Sequence, residues 1–299
     1  MPMTPIRTRD DAHTGGFCYD NAGQVPVYRF DQLNSDPSLA HAVFTRLGGV
    51  SRPPFASLNL GHTVGDDLAA VKVNHDRMFR ALGLERSQAV GCELIHGADV
   101  FLVTASDRGQ ILGRGDAMVT AEAGVYLSMR FADCAPILLH DPKRRAVGLA
   151  HAGWRGTVKN VAGAVVQAMV DKLGCSPQLI TALVGPAIGP CCYQVGEEVI
   201  QAVDAAFPPS GSPGNGQTRL FSRRNGRSAF FDLWEANRRQ LLAAGVGRVE
   251  VAGLCTACHT DHFFSHRAER GRTGRFGVVI GIRTNSSSGR TPVRHDGTI

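Results

Sequence analysis

Residues 146–173 read as a strand, a glycine-rich turn and a helix in immediate succession, and no other stretch restricts the possible folds so tightly. Ala146-Val147-Gly148-Leu149-Ala150 is an unbroken apolar run, the pattern of a strand covered on both faces. From Val158 to Leu173, the residues Val158, Val161, Ala162, Val165, Val166, Met169 and Leu173 recur with the helical period and give one apolar face. Between them stands His151-Ala152-Gly153-Trp154-Arg155-Gly156. An imidazole, an indole and a guanidinium are thereby set at a strand-to-helix turn, where backbone N–H groups and side chains can converge on a ligand.

The same patterns continue along the chain. Apolar runs at Val43–Thr45, Val100–Val103, Val125–Met129, Pro136–His140, Ile180–Val184 and Val278–Ile282 predict strands. Helical periodicity covers Leu68–Leu82, Glu197–Ala206 and Asp232–Ala244. Strands come in adjacent groups as well as alternating with helices, which favours an α+β fold with mixed sheets over a regular doubly wound one. Hydrophobic segments run on without a clear linker, predicting a single domain over 26–283. Residues 1–25 read as a flexible N-terminal segment, and 284–299, rich in Ser, Gly and Arg, as a disordered tail. The Pro- and Gly-dense stretch within 208–219 reads as a surface insertion.

With 299 residues, 43% of them hydrophobic, the chain can bury a large core. It lacks an 18-residue apolar run, and Met1–Gly16 has no apolar signal core, so a soluble cytoplasmic protein is expected. The net charge is +6, but basic residues are scattered without aromatic interleaving. That argues against nucleic acid and for a small anion held by a few arginines. Eight cysteines at irregular spacing do not form a disulfide framework.

Three metal-ligand residues each adjoin a turn: His96 in Ile95-His96-Gly97, Cys134 in Ala132-Asp133-Cys134-Ala135, and His151. Two imidazoles and a thiolate suit zinc and leave a fourth position open. A rival zinc set is Cys255-x-x-Cys258 with His259, His262 and His266 behind it. Spacing alone leaves both open, and it equally allows Cys134 to act as a nucleophile with His96 or His151 as base and Asp133 orienting the imidazole. Gly185-Pro186-Ala187-Ile188-Gly189-Pro190-Cys191-Cys192-Tyr193 cannot be a regular helix or central strand and reads as a shaped loop. No P-loop or dinucleotide fingerprint is present. Arg46, Arg155, Arg267 and Arg275 are candidates for bidentate phosphate contact; Arg46 and Arg155 are favoured because each adjoins a glycine-containing turn.

Taken in order, Phe44-Thr45-Arg46-x-Gly48-Gly49-Val50-Ser51, Ser57-Leu58-Asn59-Leu60-Gly61, Val64-Gly65-Asp66, Asn74, His96-Gly97 and Gly115-Asp116-Ala117-Met118-Val119-Thr120 form a connected signature. It continues through Ala132-Asp133-Cys134-x-Pro136-Ile137-Leu138-Leu139, His151–Gly156, Gly185–Tyr193, Phe231-Asp232-Leu233, Cys255-Thr256, Phe264-Ser265-His266-Arg267 and Thr273-Gly274-Arg275. This closely resembles the bacterial purine nucleoside phosphorylases of the laccase-domain type, once called multicopper polyphenol oxidases and related to the peptidoglycan editing factor. The resemblance spans about 40–283.

The resemblance implies zinc held by His96, Cys134 and His151 in a layered α/β/β/α, cysteine-hydrolase-like fold. It implies phosphorolysis of adenosine, inosine, guanosine and methylthioadenosine to base and ribose 1-phosphate, and deamination of adenosine. Nucleoside and phosphate are the expected partners; the oligomeric state stays open. Cys134, His151 and Asp133 are the expected catalytic residues, and Arg46, Asn59 and Arg155 the expected substrate contacts. Cys258, His259 and His262 lie where the family varies, which disfavours the rival zinc set. Two alternative activities stand beside the phosphorylase: a Cys–His amidohydrolase acting on a peptidoglycan precursor, and a copper phenol oxidase. The latter needs paired His-x-His ligands, and the chain has none. A binding-only module would hold metal without turning over nucleoside.

Overall fold

Period-two alternation of the strand residues decides how the layers stack. In the computed structural model, which describes residues 16–21, 23–208, 220–224 and 228–284, sixteen strands and six α-helices are seen among those residues. The first sheet has the order β1 (Phe17–Asp20), β2 (Val27–Phe30), β3 (Leu39–Phe44), β16 (Phe276–Ile282), β8 (Tyr126–Phe131), β4 (Ala89–Glu93) and β6 (Ile111–Arg114). The second has β15 (Arg248–Val251), β11 (Thr181–Val184), β9 (Ala135–Asp141), β10 (Ala146–Ala152), β7 (Ala117–Thr120) and β5 (Val100–Leu102). Both are mixed: β4 runs parallel to β8 and β11 parallel to β15, while β9, β10 and β7 pair antiparallel. A small sheet joins β12 (Gln194–Val195), β14 (Ser228–Phe231) and β13 (Phe221–Arg224). The result is a mixed α/β fold with several mixed sheets.

Leu138, Leu149 and Leu183 of the second sheet pack against Phe131, Phe276, Val278 and Ile280 of the first, so one core lies between the sheets. The intervening positions face outward. Ile137, Ala150 and Val184 meet α4 (Val161–Leu173) and α6 (Leu233–Ala243), whereas Phe44 and Val279 meet Met78 and Phe79 of α2 (Leu68–Ala81). The layers thus run α2, first sheet, second sheet, α4 with α6. Leu138 and Leu149 are fully buried, and truncating either to Ala costs roughly 2–5 kcal/mol.

Local sequence explains the helix limits. Asp67 accepts the Ala69 N–H to start α2, and Asp232 accepts the Glu235 N–H to start α6. α5 (Glu197–Ala206) has the predicted bounds. The predicted 158–173 helix is two: α3 (Trp154–Val158), then Asn160 in the left-handed region, its carboxamide oxygen accepting the Gly163 N–H to open α4. The short α1 is Asp31–Asn34. Inside the segment read as flexible, Phe17–Asp20 pairs with β2, where Phe17 stacks on the ring of Tyr28 and Tyr19 packs against it at a tilt. The expected 208–219 insertion and 284–299 tail lie almost wholly outside the described residues. Among the described residues, no helix is long and apolar enough to cross a membrane.

Candidate metal centre and substrate cleft

Antiparallel register brings the ligand candidates together. His151, second from the end of β10, stands opposite Pro136 on β9, and Ala152 opposite Ala135. One step further along this hairpin Gly153 faces Cys134, which sits in the turn joining β8 to β9. A Cβ at Gly153 would lie 2.8 Å from Cys134 Sγ and 3.1 Å from His96 Cδ2, so the thiol and imidazole occupy the space a side chain would need. His96 arrives from the loop after β4, with its ring edge-on to that of His151 at 5.0 Å. The ligand atoms of His96, Cys134 and His151 all lie within 4.8 Å of one another. The proposed triad is therefore one cluster, with His151 buried, Cys134 half-buried and His96 exposed.

The organiser of this cluster is Asp116, a fully buried residue immediately before β7. Its Oδ2 accepts the N–H groups of Ile95 (3.1 Å) and Gly97 (2.6 Å), and its Oδ1 accepts that of His96 (3.0 Å). Three successive N–H groups can converge on one carboxylate because His96 adopts a left-handed φ of 57° between them, a nest-like anion grip. Asp116 Oδ1 also accepts a hydrogen bond from His151 Nδ1 at 2.9 Å. That bond occupies Nδ1 and leaves Nε2, on the Cys134 side, as the ring nitrogen able to ligate a metal. Burial works against the Asp116 charge, but the His151 and Gly97 hydrogen bonds hold its carboxyl below the usual range. Burial likewise opposes ionisation of Cys134 and His151. Their mutual attraction, with hydrogen bonds to His96 and Asp116, prevails, drawing the thiol down and the imidazole up.

A cleft of about 600 Å³ opens beside the cluster, within the usual size of a small-molecule site. Arg155 and Arg267 line it, as do Arg130 on β8 and Arg275 just before β16. Arg275 donates to the Thr273 and Gly274 carbonyls. Among the described residues no carboxylate pairs with either Arg130 or Arg275. Burial, and for Arg130 also the charge of Arg275, pushes both guanidiniums' pKa down. Two partly buried guanidiniums facing one cleft offer hydrogen-bond donors to an anion. His62, stacked on His75, shares that wall; desolvation and the charge of Arg130 lower its pKa.

Other residues singled out in the sequence sit elsewhere. Arg46 lies outside the cleft lining: its guanidinium donates to Ala56 O, Thr260 O and Glu269, and stacks over Phe264. Asn59 is buried beneath the cleft, its Oδ1 accepting the N–H of Gly61 and of Arg275. Asp133 lines the cleft with a left-handed φ of 85°, but its carboxylate accepts Thr256 Oγ1–H and the Arg267 N–H, each at 2.7 Å. Arg155 stacks on Trp154, which assigns that indole to the cleft wall, and meets the exposed Glu198. The rival zinc set is divided. His262 Nδ1 bonds Tyr28 Oη, while Cys255 and Cys258 converge with Cys191 and Cys192 instead.

Asp116 and Arg130 were missed as site residues by local reading. Arg130 did carry a signal, a charge between Met129 and Phe131 inside a core strand. Asp116, a lone acid ahead of an apolar run, carried none that spacing could decode.

Residues 40–283 match the family described as multi-copper polyphenol oxidoreductase laccase. The chain is 44% identical over 249 residues to the purine nucleoside phosphorylase YlmD of Geobacillus stearothermophilus, covering 80% of this chain and 88% of that protein. It is 36% identical over 277 residues to the purine nucleoside phosphorylase YlmD of Bacillus subtilis, covering 89% and 97%. The crystal structure of YlmD from Geobacillus stearothermophilus superposes with a TM-score of 0.80 at 38% identity, over 94% of this chain and all of that one.

Proposed function

The chain belongs to the purine nucleoside phosphorylase YlmD family, within the multi-copper polyphenol oxidoreductase laccase description, and from that premise we propose that it is a zinc-dependent purine nucleoside phosphorylase. Adenosine, inosine, guanosine and methylthioadenosine are its substrates, base and ribose 1-phosphate its products, and deamination of adenosine a second activity. The observation that carries this reading is one cleft holding both a His/Cys/His donor set and the arginine pair Arg130 and Arg275.

The donor set fits zinc: His96, Cys134 and His151 offer two nitrogens and one sulfur, and Asp116 already orients the His151 ring. When bound, zinc supplies a Lewis acid for polarising a substrate atom or activating water. Arg130 and Arg275 bind phosphate, with Arg155 nearer the exposed rim. A phosphate oxygen forms the new bond to ribose C1′ while the C1′–N9 bond breaks, its electron pair leaving with the purine. The departing base takes a hydrogen bond from an imidazole of the cleft wall, His62 or His266. Asn59 positions the arginine end by holding the Arg275 backbone, and Asp133 pins the turn that presents Cys134. We read the described residues as one catalytic unit of the cytoplasm acting on small molecules.

A second reading rests on the chain of hydrogen-bonded groups Asp116, His151 and Cys134, which matches a cysteine hydrolase in an α/β/β/α sandwich. It makes the metal-free protein an amidohydrolase on a peptidoglycan precursor. A multicopper phenol oxidase needs further histidine ligands beside a His/Cys/His set, whereas among the described residues the two converging groups are this triad and a four-cysteine cluster.

The test is adenosine and inosine, with and without phosphate, on metal-analysed wild type and Cys134→Ala. Ribose 1-phosphate formed by wild type alone, and only with phosphate, is the expected result. Full turnover by Cys134→Ala refutes the site, and cleavage of a muropeptide but no nucleoside transfers the assignment to the amidohydrolase.

A further inference from the structure

We propose a second, purely structural zinc site formed by Cys191, Cys192, Cys255 and Cys258, outside the cleft lining and separate from the His96/Cys134/His151 centre. The four sulfurs lie within 4.8 Å of one another. Cys258 Sγ is 3.5 Å from Cys191 Sγ and 3.4 Å from Cys192 Sγ. Four sulfurs around a tetrahedral zinc stand about 3.8 Å apart, given a Zn–S bond of about 2.3 Å, so the two Cys258 contacts are within a few tenths of an ångström of that spacing and the remaining pairs exceed it by no more than about 1 Å. A disulfide needs about 2 Å and would bond only one of two equally placed partners of Cys258. All four cysteines are free.

The backbone is already arranged for sulfur ligands. Cys255-x-x-Cys258 closes a turn in which the N–H groups of Cys258 and His259 donate to Cys255 O. Across from it, the Gly189 N–H donates to Cys255 Sγ at 3.2 Å, a bond that stabilises a thiolate. Trp234 packs so closely on Gly189 that a Cβ would lie 2.5 Å from the indole, which holds this loop down at the cluster. All four ligand positions come from protein, leaving none for substrate, and this is the closed arrangement of a structural site.

The site ties two loops that support the cleft. Ile188, in the Cys191/Cys192 loop, donates its N–H to Asp133 O at 2.9 Å, and Thr256, in the CxxC turn, donates its hydroxyl to Asp133 Oδ1. Both loops therefore hold the turn that carries Cys134. Zinc here fixes their separation, which 66 or 67 residues of intervening chain cannot do.

The test counts metal on protein isolated under reducing conditions with zinc in the medium. About two zinc ions per chain are expected for wild type, and about one for a His96→Ala/Cys134→Ala double variant. In that double variant cobalt(II) should give an intense tetrahedral visible spectrum with strong thiolate-to-metal charge transfer. Cys258→Ser in the otherwise native chain should lose one zinc ion and keep the other. The proposal is overturned if the folded, reduced double variant holds no metal, if its cobalt form lacks thiolate charge transfer, or if freshly isolated protein carries these cysteines as a disulfide. None of these readouts depends on nucleoside turnover, so they stand apart from the test of the phosphorylase activity.

Discussion

Asp116→Asn is the sharpest probe of how the metal centre is built. The carboxylate accepts four hydrogen bonds, two at each oxygen: Ile95 and Gly97 at Oδ2, His96 and His151 at Oδ1. A carboxamide of the same shape keeps one oxygen and sets an NH2 group against the other two donors. Each orphaned buried donor costs roughly 1–3 kcal/mol, so the variant should lose about 2–6 kcal/mol of stability. The two amide orientations damage the centre differently. With NH2 toward Oδ1, His151 must present Nδ1 as an acceptor, placing its proton on Nε2 and removing that ligand. With NH2 toward Oδ2, the Ile95 and Gly97 N–H groups are repelled and the turn holding His96 at positive φ relaxes. Either way one ligand is lost, and zinc affinity should fall by about 10–100-fold or more. Urea unfolding and zinc competition against a colorimetric chelator measure the two effects. Stability within about 1 kcal/mol of wild type, together with unchanged zinc affinity, would refute the assignment of Asp116 as organiser.

Arg130→Met should raise the phosphate KM by about tenfold or more with little loss of stability, since it removes a guanidinium that pairs with no carboxylate among the described residues. Arg46→Met should do the reverse, leaving phosphate KM unchanged while costing about 1–3 kcal/mol in urea unfolding through the lost bonds to Glu269 and two carbonyls. An equal effect of the two on KM would sink the division between cleft and clamp. Gly153→Ala should purify as a folded protein with substoichiometric zinc at the His96/Cys134/His151 centre, because the added Cβ displaces Cys134 Sγ; full occupancy would contradict the packing. His41 and His75 are buried, and burial lowers each pKa to about 3. Such a group is neutral when folded but protonates when unfolded, so its contribution is present above about pH 6.5 and is lost as pH falls toward 3. At pH 5 each costs about 2 kcal/mol relative to pH 7. His75→Gln, whose amide can still donate to Leu60 O, should shrink the pH 7-to-5 stability difference by that amount in urea titrations.

Much of the architecture was legible because its causes are local. The helices at 68–81, 197–206 and 233–243 carry their own periodicity, and two of them their own Asp caps. The central strands β9, β10, β11 and β16 are apolar runs that only a doubly covered sheet can use. Shorter strands were missed, β4 and β7 among them, because four or five residues hold too little pattern to separate strand from loop. The break at Lys159-Asn160 was missed because the apolar periodicity runs straight across it, while the break depends on one left-handed residue.

The sequence by itself marked His96, Cys134 and His151 as candidate ligands, each at the end of an apolar run and each in a motif of the family it resembles, beside a rival set at Cys255 and Cys258. Tertiary structure alone decided what surrounds them. Asp116 serves His151, 35 residues away, because β7 and β10 pair. Arg46 faces Glu269, whereas Arg130 and Arg275 face the cleft, because β8 and β16 are neighbours. Cys255 and Cys258 meet Cys191 and Cys192 rather than the nearby His262 because the two loops are bonded across Ala187 and Thr256. Caps and periodicity act over a few residues and are written locally. Partners of a charge or a thiol are chosen by strand pairing and loop closure across the chain, which no local pattern encodes.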